Sequence, residues 1–463
     1  MATGDAKSVA ADMVNFLDEG CSAFHAVEAS KKRLLVAGFS EVSEADSWKG
    51  LQPGSKHFFT RSGTTIVAFT VGKAFEAGNG FTVLGAHSDS PCLRVKAVAT
   101  VQKNEFLMLN TQPYGGGLWH TWFDRDLGLA GRVLTRNADG SIASRLLRID
   151  ENIARIPNLA IHLTRGDTER GSFKPNLHEH GRAILTSKHD PDFKLPPGSL
   201  FHPFLVDIVS KRLEVNPADI IDMELQLIDL QAPSIGGPEG EFLYSGRLDN
   251  LCSGYQAIRA IIDASSDANF ASQTNVHISV LFDHEEVGST SNSGAGSQLF
   301  MDTLRRINDA LTDASHESFM RALRRSLVVS VDMAHALHPN YSAKHDATMA
   351  PKLNMGMVIK HNANQRYATT SVSATMFREF AKLMNIPTQE FAIRSDGACG
   401  STIGPIISSL TGILTVDVGT PQFSMHSIRE MMGSEDAYTG YVHLLGALLH
   451  HPTLASQMQK LDI

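Results

Sequence analysis

Two patterns of apolar residues alternate along much of the chain. Apolar positions recur every three or four residues in some segments, which predicts helices whose apolar face is buried. This helical pattern occurs in residues 9–17, 26–35, 252–264, 297–311, 372–384 and 438–450. Short runs rich in Val, Ile, Leu and Phe predict extended strands, several of them buried on both faces. These runs cover residues 65–71, 81–86, 276–282, 327–332, 389–394 and 412–418. The alternation predicts an α/β fold, a mostly parallel sheet in a three-layer α/β/α arrangement.

The pattern changes between about residues 93 and 242. Short alternating strands are predicted at residues 95–101, 106–109 and 145–149, and turn-rich segments separate them. We therefore divide the chain into an α/β domain formed by residues 1–92 and 243–463, and a β-rich insertion formed by residues 93–242. The glycines of Gly115–Gly117 could alternatively cradle a phosphate, but no Lys-Ser/Thr pair follows them as in a P-loop.

Ionisable side chains follow several of the predicted strands. The strand at residues 276–282 ends in Asp283-His284-Glu285-Glu286. Two adjacent carboxylates near a core repel each other unless a positive charge compensates them. A metal ion would supply that charge and would leave one carboxylate to act as a base. The alternative is an acidic helix N-terminus, which the helix dipole favours.

Other segments supply partners for these two carboxylates. The side chains that could meet them at one sheet edge are His87, Asp89, Asp249, Asp332 and His426. Taken singly, each has an ordinary alternative: surface histidine, helix cap or turn residue. Taken together, His, Asp and Glu form the ligand mix of zinc or a similar ion, and their number indicates two metal ions that share a carboxylate.

Composition narrows the class of protein. The 463 residues carry a formal net charge of -8, and 42% of them are hydrophobic, as in an ordinary soluble protein. An acidic chain without a basic patch does not predict nucleic-acid binding. We expect no membrane span and no signal peptide. The four cysteines are far apart, so we expect neither a zinc ribbon nor a disulfide scaffold, and the expected compartment is the cytoplasm.

Five segments of the chain also resemble the sequence blocks of a known family, the aspartyl aminopeptidases, which includes a vacuolar aminopeptidase I branch. These blocks are residues 85–91, 246–250, 283–289, 331–340 and 424–430, and the likeness runs through almost the whole chain. Residues 394–402 depart from the family pattern. The resemblance implies a phosphorylase/hydrolase-like catalytic domain, a β-rich dimerisation domain inserted into it, and a tetrahedral dodecamer built from dimers.

The resemblance also implies roles for individual residues. Asp249 would bridge two zinc ions, with Mn²⁺ or Co²⁺ able to substitute. His87 and Asp332 would complete one site, and Glu286 and His426 the other. Glu285 would be the general base, and Asp89 would orient His87. His162 would reach the active site of a neighbouring subunit and stabilise the tetrahedral intermediate there.

The substrate implied by the resemblance is a peptide with an unblocked N-terminal Asp or, less readily, Glu. The residues expected to bind its acidic side chain are His335, His338, Lys360 and Arg394. Lys360 and Arg394 could alternatively belong to a solvated surface or a structural ion pair. Two other functions stay open at this point, namely an aminopeptidase that prefers apolar N-termini and an oligomeric scaffold or cargo protein without catalysis.

Overall fold

The structure is a computed structural model that describes residues 3–164, 175–188, 190, 192–194 and 198–458. The chain forms two compact units. The larger unit comprises the residues up to Asp89, Pro233–Met425 and the residues from Glu430 onward. The smaller unit comprises Ser90–Ala232 and His426–Arg429. None of the helices within the described residues combines the length and apolar character of a membrane span.

A nine-stranded sheet forms the centre of the larger unit, counted over the residues that the structure describes. In spatial order its strands are Ser40–Glu41, Lys56–Arg61, Thr65–Val71, Val276–Phe282, Phe81–His87, Leu327–Val331, Leu414–Gly419, Met357–His361 and Thr388–Ala392. The four strands from Val276–Phe282 to Leu414–Gly419 run parallel to one another. Their carboxyl ends therefore lie at the same edge of the sheet.

Alternate residues of the central strands point into two different hydrophobic cores. In Thr65–Val71, Ile66 and Ala68 belong to one core, whereas Val67 and Phe69 belong to the other. This follows from the two-residue period of a strand. Helices cover both faces, so the larger unit has three layers and the predicted α/β class is confirmed.

The helices divide between the two faces. Those contributing to the first core are Ala6–Glu19, Ala23–Val36, Leu248–Ala264, Ser371–Met384 and Asp436–Gln457. Those contributing to the second are Leu299–Leu311, His316–Arg324 and Ile403–Thr411. A one-turn helix, Asp267–Phe270, follows the third helix of the first group. Among its described residues the larger unit also contains a five-stranded sheet, with the order Ser234–Gly236, Phe242–Ser245, Glu430–Gly433, Pro421–Phe423 and Ala334–His335.

The smaller unit is built on an antiparallel sheet. The six strands found among its described residues are, in spatial order, Ile142–Ala154, Leu127–Arg136, Ile220–Asp229, Cys92–Lys103, Phe106–Tyr114 and Ile184–Thr186. Its helices are Leu177–His180 and Pro203–Leu213, together with a helical turn at residues 161–164. Short 3₁₀ helices in the two units are Trp119–Trp122, Pro217–Asp219, Glu285–Val287 and Pro339–Lys344. The sequence predicts the β-rich character of this unit but not the helix Pro203–Leu213.

Candidate metal centre

The parallel strands bring their terminal side chains together. Phe282 lies opposite His87 in the register of the two central strands, so Glu285 and Glu286 follow directly beside His87. Asp332 follows the next strand, and its backbone N–H donates to the carbonyl of Val418 at 2.9 Å. We call His87, Asp249, Glu285, Glu286 and Asp332 the strand-end cluster.

A glycine permits the close approach of the two strands beside Asp332. A Cβ atom on Gly419 would lie 1.6 Å from the carbonyl oxygen of Asp332. No side chain can occupy that space, so residue 419 must be glycine for Asp332 to keep this position.

Asp249 enters the strand-end cluster from the first turn of the helix Leu248–Ala264. Its backbone N–H donates to Glu430 Oε2 at 3.2 Å. The neighbouring Asn250 side chain donates to the carbonyl of Val331 at 2.8 Å, one residue before Asp332. These bonds tie the start of the helix to the sheet edge and fix where the Asp249 carboxylate lies.

The side-chain atoms converge at distances that suit a metal ion. His87 Nε2 lies 3.3 Å from Asp249 Oδ1 and 3.7 Å from Asp332 Oδ1. Both distances exceed the 2.7–2.9 Å of a charge-assisted hydrogen bond. Zinc–nitrogen bonds are about 2.0–2.1 Å long, so two ligands on one tetrahedral ion are about 3.3 Å apart. One ligand atom each from His87, Asp249 and Glu286 lie within 4.8 Å of one another. The residues present therefore fit a zinc ion.

The strand-end cluster concentrates negative charge in a buried place. Burial alone would lower the pKa of His87, but the carboxylates of Asp249, Asp332 and Asp89 outweigh it and raise that pKa well above its usual value. Burial, together with the charges of Asp332 and Asp249 and against the opposing effect of His87, raises the pKa of Glu285 to about 8. Both pKa shifts reflect the crowding of carboxylates in this place, and a bound cation would reduce the repulsion between them.

Asp89 connects His87 to the turn that carries the two glutamates. Its Oδ1 and Oδ2 accept the backbone N–H groups of Glu285 and Glu286, each at 3.1 Å. The ring Nδ1 of His87 lies 3.0 Å from the backbone carbonyl of Asp89, closer than the 3.4 Å to its carboxylate. A proton on Nδ1 that bonds this carbonyl leaves the lone pair of Nε2 directed at the strand-end cluster.

The turn that carries the two glutamates depends on two residues in the left-handed backbone conformation. His284 has φ 62° and Gly288 has φ 100°, and between them lies the 3₁₀ helix Glu285–Val287. The His284 ring bonds to the Ser291 hydroxyl at 2.9 Å, and its backbone N–H donates to Asp283 at 2.8 Å. Asp283 and His284 thus shape the turn.

The four residues expected to bind substrate occupy two places. His335, His338 and Arg394 line a cavity of about 270 Å³ together with Lys344 and His345; we call it the histidine pocket. The Arg394 guanidinium pairs with Asp396 through two bonds of 2.9 and 2.8 Å. This pairing is the structural alternative that the sequence left open for Arg394.

Lys360 does not line the histidine pocket. It lies within the strand Met357–His361 and is only 2% exposed. Its Nζ donates to the carbonyl of Met333 at 3.2 Å, directly after Asp332. The side chain therefore lies at the same sheet edge as the strand-end cluster.

Two predicted residues belong to the smaller unit. His426 has φ 66°, and its Nδ1 lies 3.0 Å from the carbonyl of Gly116. His162 is exposed on the helical turn at residues 161–164. The strand-end cluster therefore includes neither His162 nor His426, and their roles at the active site stay predictions.

Sequence reasoning missed two buried carboxylates near the site. Glu430 accepts from the Asp249 backbone, and Asp417 lies in the strand Leu414–Gly419. A signal for Asp417 was present, because an acidic residue inside an apolar strand needs a partner. Glu430 lies within the segment 424–430 but carried no such signal.

The chain is similar to known proteins along most of its length. A family model described as "Aminopeptidase I zinc metalloprotease (M18)" matches residues 16–447. A "Probable aspartyl aminopeptidase" from Ricinus communis is 46% identical over 464 residues, covering 94% of each chain.

Solved structures show the same fold. A chain in the "Cryo-EM structure of the Ape4 and Nbr1 complex" is 35% identical and superposes with a TM-score of 0.95, covering 100% of this chain and 90% of that chain. The "Structure of S. cerevesiae mApe1 dodecamer" is 28% identical, with a TM-score of 0.87 and coverage of 98% and 99%.

Proposed function

The chain belongs to the M18 family of aminopeptidase I zinc metalloproteases, and from this premise we propose that it uses two zinc ions to remove N-terminal Asp, and less readily Glu, from peptides. The observation that carries the proposal is the strand-end cluster, in which a buried histidine faces several carboxylates at ligand spacing. The aspartyl aminopeptidase name of the relative supports the acidic substrate.

We assign the metal ligands as the sequence predicts. His87, Asp249 and Asp332 would hold one ion, and Asp249, Glu286 and His426 would hold the other. Two observations support this assignment. His87 Nε2 lies near carboxylate oxygens of Asp249 and Asp332, and ligand atoms of His87, Asp249 and Glu286 lie within 4.8 Å of one another. His426 follows the strand Leu414–Gly419, and its Nδ1 contacts the carbonyl of Gly116, so we assign Nε2 as its ligand atom.

Glu285 is the proposed base. Zinc ions, when bound, lower the pKa of water and polarise a peptide carbonyl. Glu285 takes the proton of the attacking water and then delivers it to the departing amine. Its neighbour Glu286 binds metal, while Asp89 holds the backbone of both glutamates. The 15% exposure of the Glu285 side chain leaves it accessible to substrate.

We assign the acidic side chain of the substrate to Lys360, and we keep His335 and His338 of the histidine pocket as further substrate-binding residues. The ammonium group of Lys360 supports this assignment, because it donates to the carbonyl of Met333, the residue after Asp332. Arg394 is the weakest member of the predicted set, because its guanidinium already pairs with Asp396.

We further propose a cytoplasmic homo-oligomer, a tetrahedral dodecamer built from dimers. The likeness to the dodecameric mApe1 supports it. In this assembly the exposed His162 reaches the active site of a neighbouring subunit. Light scattering should then give a particle of twelve 50.3 kDa chains.

Hydrolysis after metal reconstitution tests the function. The purified protein is stripped with a chelator, supplied with Zn²⁺, Mn²⁺ or Co²⁺, and assayed on fluorogenic substrates that differ only in an N-terminal Asp or Leu. We expect metal-dependent release that is faster for Asp. Faster Leu release would contradict the acidic preference, and oligomers without hydrolysis under any of the metals would favour a scaffold.

A further inference from the structure

Lys360 and Asp417 lie opposite each other on neighbouring strands. Ile359 pairs with Val418 and Val358 with Gly419 in the antiparallel register of these strands. Continuing that register by one residue pairs Lys360 with Asp417. Residues directly opposite in an antiparallel pair point to the same face, with Cβ atoms about 4.5–5.5 Å apart. Lys360 is 2% exposed and Asp417 is 0% exposed, so both charges are buried together.

The Asp417 carboxylate is held by two neighbouring segments. Its Oδ2 accepts the backbone N–H of Ala368 at 2.6 Å, and its Oδ1 accepts the hydroxyl of Thr402 at 2.6 Å. A Cβ atom on Gly404 would lie 2.3 Å from both carboxylate oxygens. The first turn of the helix Ile403–Thr411 therefore packs directly on the carboxylate and leaves it no room to move.

Lys360 is held on its other sides by groups close to the strand-end cluster. Its Nζ donates to the Met333 carbonyl and lies 5.1 Å from the centre of the Tyr367 ring. Tyr367 precedes Ala368, the residue that donates to Asp417. One segment thus contacts both members of the pair.

We propose that Asp417 is a positioning residue for substrate specificity. It fixes the Lys360 ammonium where that group meets the acidic side chain of the substrate. A buried ammonium without an opposite charge is costly, so the loss of the Asp417 charge releases Lys360 from this position. The inference rests on the proposed function, in which Lys360 binds the substrate carboxylate.

The test compares Asp417→Asn with Lys360→Met and with the double variant, using the zinc-reconstituted protein and the Asp and Leu substrates. For Asp417→Asn we expect KM for the Asp substrate to rise about tenfold, with kcat and the Leu substrate changed less than about twofold. In the Lys360→Met background, Asp417→Asn should cause no further loss of Asp selectivity, because the two changes act through one group.

A second pair of variants covers the case in which Asp417→Asn fails to fold. Thr402→Val removes one donor to Asp417 and keeps both charges, and we expect KM for the Asp substrate to rise about threefold. Thr402→Ser keeps the hydroxyl and should behave as wild type. Equal behaviour of Thr402→Val and Thr402→Ser on the Asp substrate would overturn the inference.

The outcomes separate the inference from the function. If Lys360→Met lowers Asp selectivity but Asp417→Asn leaves it intact, or weakens both substrates equally, only the inference is overturned. If Lys360→Met leaves Asp selectivity unchanged, both the acidic-pocket assignment and the inference are overturned. Absence of metal-dependent hydrolysis by wild type would reject the proposed function itself.

Discussion

Glu285 and Glu286 are adjacent in the chain, and we give them different tasks. The left-handed turn at His284 and the short 3₁₀ helix set the directions of the two side chains. Asp89 accepts both backbone N–H groups of this turn and also contacts His87 through its carbonyl. At the scale of single residues, Asp89 therefore connects one proposed ligand to the other and to the proposed base.

Replacement of Glu285 by Gln tests the base. The amide has the same shape but cannot accept the proton of water, so kcat should fall by about 10²–10⁴-fold. Zinc content, measured by atomic emission, should stay at the wild-type level, because Glu285 is not a proposed ligand. Activity close to wild type would show that another group accepts the proton.

Replacement of Asp89 by Ala tests the connecting role. The variant loses the carboxylate that accepts the backbone N–H groups of Glu285 and Glu286. This loss should weaken zinc binding by about 10–100-fold, the usual effect of removing a group that orients ligands. Competition with a chelator measures this affinity. The matched control is Glu317→Ala, an exposed carboxylate on the helix His316–Arg324, which should bind zinc as wild type does. Equal zinc affinities of Asp89→Ala and wild type would contradict the role of Asp89.

At the scale of elements, the sequence predicted the central strands closely. The strands Thr65–Val71 and Val276–Phe282 begin and end where the apolar runs do. The helix Ser371–Met384 begins one residue before its predicted start, because Thr370 and Ser373 form a capping box. Such bonds define helix ends more sharply than apolar spacing.

Other elements were missed for physical reasons. The strand Met357–His361 contains Lys360, and a charged residue interrupts the apolar run that marks a buried strand. The helix Ile403–Thr411 contains Gly404 and Pro405, which are unfavourable in isolated helices. Packing against the second core stabilises this helix in spite of its composition.

The capping box at Thr370 makes a prediction about stability. The Thr370 hydroxyl accepts the backbone N–H of Ser373 at 3.2 Å, and the Ser373 hydroxyl accepts that of Thr370 at 2.9 Å. Thr370→Ala should lower the free energy of unfolding by about 1 kcal/mol. Thr370→Ser keeps the acceptor and is the matched control. Denaturation followed by circular dichroism measures both, and equal midpoints would contradict the cap.

At the scale of the whole molecule, titratable groups are also buried outside the strand-end cluster. Burial lowers the pKa of His277 to about 4, that of His443 to about 4 and that of His451 to about 3. Burial acts in the opposite direction on Asp436 and raises its pKa to about 7. The stability of the protein at acidic pH therefore combines opposing contributions.

Replacement of His277 by Gln tests one of these contributions. Between about pH 6.5 and 4 the unfolded chain binds the proton of His277 and the folded protein does not. Its contribution to stability is thus complete above about pH 6.5 and is lost as the pH falls toward 4, by at most about 1.4 kcal/mol per pH unit.

The measurement is the difference in unfolding free energy between wild type and His277→Gln across this pH range. As the pH falls, the unfolding free energy of wild type should decrease more than that of His277→Gln, because Gln does not titrate. His120→Gln, at an exposed site, is the control and should parallel wild type. A difference that is independent of pH would refute the buried neutral state.

Subunit complementation tests the proposed role of His162. His162→Ala and Glu285→Gln should each be nearly inactive while keeping the particle mass of wild type. Co-expression of the two variants should restore part of the activity, because a mixed assembly can combine an intact Glu285 with His162 from a neighbour. No recovery in assemblies shown to be mixed would place both residues in the same chain's site.

The sequence by itself determined the α/β class, the β-rich middle segment and the side chains that follow the central strands. It could do so because apolar periodicity and acidic residues at strand ends are local signals. Only the tertiary structure decided the distances around His87, the carbonyl contact of Asp89 and the pairing of Arg394 with Asp396. It also set Lys360 opposite Asp417, since strand register depends on how distant segments pack and not on either segment alone.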